Sequence, residues 1–180
     1  MPSSIPPARW RWLRALAALA LLFTQLAGTA QPAMAVSTTV VISQVYGGAG
    51  CSTAGCSTYK NDYIELFNRG TSSQSLNGWS VQYASATGTS WSATPLANVS
   101  LAPGQYYLIA EGSGANGVSV LPPPDTTGSI AMSATAGKVA LVNATTALSG
   151  ACPTGSSIVD LVGFGSTASC YEGAGPAPAP

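Results

Sequence analysis

Short runs of alternating apolar and polar residues recur from residue 38 onward, separated by glycine, proline and serine. A period of two is typical of strands with one buried face, and turn residues every 8–12 positions favour a sandwich or barrel. No window after residue 35 keeps the 3.6-residue period of a helix. The pattern predicts an all-β domain with strands at 38–46, 63–68, 79–85, 91–96, 105–111, 130–132, 138–143 and 158–164.

The pattern also predicts how individual strands face the core. In the first strand, Val40, Ile42 and Gln44 alternate and share one face. The run from Tyr63 to Phe67 has apolar side chains on both faces, which favours a central strand. Segments 47–58 and 112–128 are rich in glycine, serine, threonine or proline, and they predict loops.

Turn signals follow these strands. Asn68-Arg69-Gly70 predicts a tight turn, because Asn and Gly tolerate the positive φ that such turns need. A second turn is predicted at Leu101-Ala-Pro-Gly104, with proline in its interior and glycine at its end.

Three spaced motifs suggest a family. They are Glu65-Leu66-Phe67-Asn68, then Leu76-Asn77-Gly78-Trp79, then the turn at 101–104 before Tyr106-Tyr107-Leu108. In this order the chain resembles the lamin-tail domain family over roughly residues 40–165. The resemblance implies an immunoglobulin-like β-sandwich at 36–175, in which the motif residues have structural roles: Glu65, Phe67, Asn68, Gly78 and Trp79. It also implies a neighbour, because exported bacterial-type proteins often join such domains to nuclease or phosphatase domains.

The first 35 residues have the features of a secretory signal peptide. Arg9, Arg11 and Arg14 form a positive region at the start of an apolar run at 13–27, and Ala33-Met34-Ala35 fits the small-x-small cleavage pattern. The alternative is a transmembrane anchor, but the run is shorter than the roughly 20 residues needed to span a bilayer. We expect cleavage after Ala35, no membrane span afterwards, and an extracellular or periplasmic location. The proline- and alanine-rich residues 176–180 predict a linker or tail.

Charge excludes one class of partner. After cleavage the chain would keep three basic and six acidic residues. Nucleic-acid binding needs clustered lysine and arginine, so the charge of this chain does not favour such a partner.

The four cysteines follow the predicted cleavage site, and an even number in an exported chain indicates disulfides. Three pairings are possible. We favour Cys51–Cys56 and Cys152–Cys170, because each pair brackets a loop-like segment. A zinc site is the alternative, but the 17 residues between Cys152 and Cys170 do not fit its usual spacing.

The sequence predicts no catalytic residue and no cofactor. It contains no histidine and no nucleophile-elbow motif. The glycines at 47–50 lack the Lys-Ser/Thr of a phosphate loop. Paired acids can bind Ca²⁺ or catalyse glycoside hydrolysis, which makes three residues weak metal-site candidates: Asp62, Glu65 and Asp160.

Glu65 has two interpretations, because burying a carboxylate is costly unless it is paired or hydrogen-bonded. In the structural one, it accepts backbone N–H groups or pairs with Arg69 or Lys60. In the functional one, it binds a metal or a ligand. Among the aromatic residues, we expect Trp79 in the core, while Trp91 fits the core or a sugar platform equally.

Together these features predict a secreted, non-catalytic binding or spacer module associated with an exported enzyme. Its partner would be a protein or a polysaccharide. Two alternatives stay open: an N-terminal accessory domain of an extracellular nuclease or phosphatase, and a small carbohydrate- or calcium-binding domain.

Overall fold

Two four-stranded sheets organise residues 37–180, the part of the chain that the computed structural model describes. The predicted signal peptide lies outside these residues. The strands are β1 Val40–Tyr46, β2 Ser57–Tyr59, β3 Asn61–Asn68, β4 Gln74–Ser75, β5 Ser80–Ser85, β6 Ser92–Pro95, β7 Ser100–Leu101, β8 Tyr106–Ser113, β9 Gly117–Ser119, β10 Thr126–Thr127, β11 Gly137–Val142 and β12 Ile158–Phe164. No helix occurs in this range, which confirms the predicted all-β class.

The first sheet has the order β1-β3-β8-β10, so β3 is central, as its apolar pattern predicts. The prediction that both faces of β3 are buried is wrong in detail. Ile64 and Leu66 are fully buried, whereas Tyr63, Glu65 and Phe67 are only partly buried. The second face of β3 is therefore the outer surface of the sandwich, where Tyr63 packs against Tyr46 and Tyr59, and Phe67 packs against Tyr106.

The second sheet has the order β12-β11-β5-β6 and is covered on both faces. All six residues of β11 are buried. One face packs against the first sheet, around Ile64, Leu66, Val139 and Leu141. The other packs beneath a smaller cluster that includes Trp91, Leu161 and Cys170. The outer face of this sheet is thus closed, while that of the first sheet is partly exposed.

A β-bulge interrupts β1. Its pairing with β3 runs Ile42↔Leu66 and then Gln44↔Glu65, so the extra residue is Ser43. Ser43 and Gln44 are both exposed, because a bulge lets two consecutive side chains lie on one side of a strand. The alternation predicted for Val40, Ile42 and the polar Gln44 therefore ends at Ile42.

Residues 130–132 are not a strand, although their apolar pattern predicts one. Their backbone N–H groups donate to buried carboxylates instead of to a neighbouring strand. The N–H of Ile130 donates to Glu111 Oε2 at 2.9 Å, and that of Met132 to Asp62 Oδ2 at 2.6 Å. Ile130 and Met132 are nevertheless in the core, so the pattern identified burial correctly and the element type wrongly.

Two segments predicted as loops contain short strands. β2 ends the first loop and pairs in parallel with β9 inside the second. Further along the second loop, β10 pairs in parallel with β8 at the edge of the first sheet. These pairings join segments distant in sequence, so local composition does not reveal them.

The end of the chain lies along the edge of the second sheet. The Ala177 N–H donates to the Gly163 carbonyl, and the Gly165 N–H donates to the Ala177 carbonyl, both at 2.8 Å. Whether residues 176–180 also act as a linker stays a prediction. The described residues contain no helix that is long and apolar enough to cross a membrane.

Candidate functional site

The bulge in β1 builds a polar pocket on the outer face of the first sheet. The Ser43 hydroxyl donates to Glu65 Oε1 at 2.7 Å and lies 3.1 Å from the Glu65 carbonyl oxygen. The Tyr63 hydroxyl donates to Gln44 Oε1 at 2.9 Å. These bonds orient the carboxylate and the amide, and they leave Glu65 Oε2 and the Gln44 NH₂ group available to a ligand.

This pocket, called the outer pocket below, has a volume of about 160 Å³. Its lining residues combine aromatic, apolar and polar groups: Gln44, Tyr59, Tyr63, Glu65, Leu108, Leu121 and Pro122. Glu65 is the one carboxylate among them, and none is basic. The Glu65 bond to Ser43 differs from the expected bonds to backbone N–H groups, and no ion pair with Arg69 or Lys60 forms among the described residues.

Three tyrosines hold one wall of the outer pocket. Tyr46 and Tyr63 are stacked, with ring centroids 5.4 Å apart and planes 9° from parallel. Tyr59 meets both rings edge-on. The Tyr46 hydroxyl accepts the N–H of Thr58 at 2.8 Å, which fixes β2 against the cluster. Sequence reasoning missed Ser43, Gln44 and Tyr59; the signal for the first two was a pair of consecutive polar residues in an otherwise alternating strand.

Asp62 lies on the opposite face of β3 from Glu65. It is 2% exposed, and its carboxylate accepts the N–H groups of Ala49 at 2.8 Å and Met132 at 2.6 Å. Burial raises the pKa of Asp62, and these hydrogen bonds oppose that rise. The structure therefore does not bring Asp62 and Glu65 together.

Asp160 is buried between β1 and β12 and forms a pair with Glu172. It accepts the Ile42 N–H at 2.7 Å, while Glu172 accepts the Leu161 N–H at 3.0 Å. Burial, followed by the charge and hydrogen bond of Asp160, raises the pKa of Glu172 to about 8. At neutral pH the two carboxyl groups therefore share a proton. Within the described residues, no group of three or more acidic or cysteine side chains is placed to hold a metal ion.

The sequence pattern did not predict that the charged residues Glu111 and Lys138 are buried. Glu111 is 1% exposed, and burial raises its pKa. Lys138 is fully buried, and its ammonium donates to the carbonyls of Gly88 at 2.8 Å and Ala151 at 2.6 Å. It also lies 5.4 Å from the centre of the Trp91 ring, a cation–π contact. Neither charge has a signal in the local sequence pattern, since each lies in an ordinary apolar strand.

Asn68 connects two turns through its side chain. Its amide NH₂ donates to the carbonyls of Ser72 at 3.0 Å and Leu101 at 2.7 Å, and its Oδ1 accepts the Gly70 N–H at 2.9 Å. The expected positive φ is wrong for both Asn68 and Gly70. The turn instead depends on the buried Asn68 side chain, which bonds to backbone groups of its own turn and to the carbonyl of Leu101.

Gly78 and Trp79 shape the second family motif. Gly78 has φ of 75°, a conformation that favours glycine, and it turns the chain into β5. Trp79 packs partly buried against the core. Phe67 stays on the outer face, where its ring lies 4.6 Å from that of Tyr106.

Trp91 belongs to the core, not to a sugar platform. It is 6% exposed, and its indole N–H donates to the Gly150 carbonyl at 3.0 Å. The aromatic surface that the structure does present is on the opposite sheet, beside the outer pocket.

The favoured cysteine pairs are at disulfide distance. Cys51 pairs with Cys56 and Cys152 with Cys170, with Cα atoms 6.2 and 5.1 Å apart. Disulfides of this kind are compatible with an extracellular or periplasmic location.

Comparison with known proteins supports the family. The family model described as Lamin Tail Domain matches residues 33–166. No curated protein matches this chain. The matched range includes all three sequence motifs and every strand of both sheets. The chain therefore belongs to the lamin-tail domain family, and its two β-sheets are consistent with an immunoglobulin-like sandwich.

Proposed function

We propose that this protein is a secreted, non-catalytic binding module that accompanies an exported enzyme. Family membership supports a binding or structural role. The two disulfides support export, because they persist in oxidising compartments, and the predicted leader agrees with them. The partner is an extracellular protein or polysaccharide.

The placement of the carboxylates carries the non-catalytic part of this proposal. Asp62 and Asp160 are buried and accept backbone N–H groups, so both hold loops and strand edges in place. Glu65 is the single carboxylate lining the outer pocket. Glycoside hydrolysis needs two acids that face one bond from about 5 Å apart or more. Glu65 has no second acid in the outer pocket, and the Asp160 and Glu172 side chains are hydrogen-bonded to each other, which is closer than that spacing.

The outer face of the first sheet carries the binding part of the proposal. It presents an oriented carboxylate, an oriented amide and partly exposed aromatic rings, which are the groups that fix a ligand's position. A spacer would not need the hydrogen bonds that orient Glu65 and Gln44. In a binding module, the remaining polar atoms of these two side chains would bond to the ligand.

The test separates a module from an enzyme. The exported protein, purified with its disulfides intact, is incubated with DNA, phosphoesters and polysaccharides, with Ca²⁺, Mg²⁺ or Zn²⁺ added in turn. We expect no turnover. Activity that survives repurification and disappears in Glu65→Gln or Asp62→Asn would overturn the non-catalytic proposal.

Export and association need their own measurement. The mass and N-terminal sequence of the native protein, isolated from the medium or periplasm, should show a mature start at Val36. Chemical cross-linking in the same fraction should join it to an exported enzyme. A protein found only in the cytoplasm with residues 1–35 retained would contradict the export proposal. A catalytic domain on the same polypeptide would favour the accessory-domain alternative.

A further inference from the structure

We propose that the outer pocket binds a neutral sugar ring of an extracellular polysaccharide. This inference deepens the proposed function and rests on it, because it names the ligand class of the binding module. It depends on which groups line the pocket, how they are oriented and which charges are absent from its walls.

The hydrogen-bonding groups suit hydroxyl-rich ligands. Glu65 Oε2 can accept a hydrogen bond from a sugar hydroxyl, while the Gln44 NH₂ group can donate to a ring or hydroxyl oxygen. The Ser43 hydroxyl holds Glu65 through its Oε1, and the Tyr63 hydroxyl holds Gln44 through its Oε1. Both side chains are therefore oriented before a ligand arrives, so less conformational freedom is lost on binding. The β-bulge is what places Ser43 and Gln44 together on this side of β1.

The remaining walls suit the apolar face of a sugar. Tyr59 and Tyr63 provide aromatic surface, and Leu121 and Pro122 provide an apolar border. Aromatic ring faces carry negative potential and attract polarised C–H groups. Packing among the three tyrosines limits ring movement, so this surface is already formed before a ligand arrives.

The charges of the outer pocket argue against other small ligands. No lysine or arginine lines it, and its one carboxylate would repel phosphates and acidic sugars. A quaternary ammonium would need aromatic faces that surround a common void. Tyr46 and Tyr63 are instead stacked face to face, so those two faces contact each other.

A polysaccharide fits better than a free monosaccharide, because the aromatic surface continues along β3. Phe67 lies four residues from Tyr63 on the same face, roughly 13 Å away at the rise of a strand. Its ring packs against Tyr106, which is 60% exposed. A chain of sugars could therefore contact both the outer pocket and this second aromatic pair.

Calorimetric titration of the exported protein tests the proposal. The probes are cellohexaose, maltohexaose, laminarihexaose and mannohexaose, with an oligogalacturonate and tetramethylammonium as charged probes. We expect at least one neutral hexasaccharide to bind saturably and neither charged probe to compete with it. Glu65→Gln should weaken that binding about ten- to hundred-fold, as expected for the loss of a charge-assisted hydrogen bond.

Two further variants separate orientation from loss of fold. Tyr63→Phe removes the hydroxyl that holds Gln44 and should weaken binding while the melting temperature stays near that of the wild type. Tyr171→Phe removes a hydroxyl from a residue that belongs neither to the outer pocket nor to the second aromatic pair, and it should bind normally. Ligand recovered after titration is analysed by mass spectrometry, so that cleavage, which would overturn the proposed function, is distinguished from failure to bind.

The sugar proposal is overturned if no neutral hexasaccharide binds, or if Glu65→Gln and Tyr63→Phe bind as tightly as the wild type. Competition by tetramethylammonium or by the oligogalacturonate would also overturn it.

Discussion

At the residue scale, this domain uses buried charged side chains as hydrogen-bonding partners for backbone groups. Asp62 and Asp160 accept N–H groups that no strand pairs, and Lys138 donates to carbonyls that no strand pairs. Each replaces a missing backbone partner, since an unpaired polar group in the interior is costly. The few charged residues of the described chain thus include several with structural roles, which leaves Glu65 as the accessible acid of the outer pocket.

Lys138 provides the first prediction. Replacing it with Met keeps much of the side-chain volume but removes the Gly88 carbonyl's donor and the shorter of the two hydrogen bonds to the Ala151 carbonyl. We expect Lys138→Met to lower the free energy of unfolding by about 2 kcal/mol, within the cost of unsatisfied buried groups. Denaturant unfolding measures the change. Lys60→Met, at an exposed lysine, is the control and should unfold as the wild type does; equal stability of the two variants would contradict this role.

At the element scale, β1 and the segment 130–132 both depart from regular strand structure, and both departures depend on acids of other strands. The bulge at Ser43 is stabilised by the Glu65 side chain of β3. The segment 130–132 is held by Asp62 of β3 and Glu111 of β8. Irregular backbone is therefore attached to the regular first sheet through side chains.

Asp62→Asn tests this attachment. Asp62 accepts two N–H groups through two oxygens, whereas the amide of Asn has only one oxygen and would direct N–H against N–H. We expect a loss of about 1–3 kcal/mol in unfolding free energy, typical of a buried hydrogen bond left unmade. Hydrogen exchange at Ala49 and Met132 should speed up.

Asp125→Asn is the matched control, because the exposed Asp125 accepts a single N–H, that of Leu108, at 2.8 Å. It should cost much less, since water can replace an exposed bond. An equal loss in both variants would show that burial does not determine the effect.

The sequence predicted the regular elements better than the irregular ones. Short apolar runs bounded by turn residues located β3, β5, β8, β11 and β12 within a few residues, although only β3 alternates strictly and β11 is buried on both faces. The short strands β2, β9 and β10 and residues 130–132 depend on partners distant in the chain, so no local pattern encodes them. The bulge has one local signal, the consecutive polar residues Ser43 and Gln44. Glu65 stands out in the sequence as an acid inside an apolar run, whereas the roles of Ser43 and Gln44 depend on the register between β1 and β3.

At the scale of the whole molecule, the two sheets differ in what covers them. The second sheet is closed on its outer side by the cluster around Trp91 and the Cys152–Cys170 pair, while the first leaves the outer pocket accessible. Next to β1, the pair formed by Asp160 of β12 and Glu172 joins the segment after β12 to that strand. Of the two sheets, it is therefore the outer face of the first that is accessible to a ligand.

The Asp160–Glu172 pair makes stability depend on pH. The pKa of Glu172 is about 8 in the folded protein, against 4.5 as its ordinary value, so the folded state binds the extra proton between these limits. Its contribution is fully present below about pH 4.5 and is lost as the pH rises through about 8. We expect the unfolding free energy to fall from pH 6 to pH 9.

Glu172→Gln should reduce this pH dependence, because the amide keeps a donor toward Asp160 without titrating. Chemical denaturation at several pH values measures the slope for both proteins. An unchanged slope in the variant would assign the pH dependence to other groups, such as Asp62 and Glu111, whose pKa values burial also raises.

The most direct test of the account maps where ligand contacts the domain. Backbone and side-chain NMR signals of the isotope-labelled protein are followed during titration with the tightest-binding neutral hexasaccharide. The account predicts saturable shifts concentrated at Gln44, Tyr59, Tyr63, Glu65 and Leu121, with the ligand recovered intact. Shifts centred on the second sheet around Trp91, or cleavage of the ligand, would contradict it.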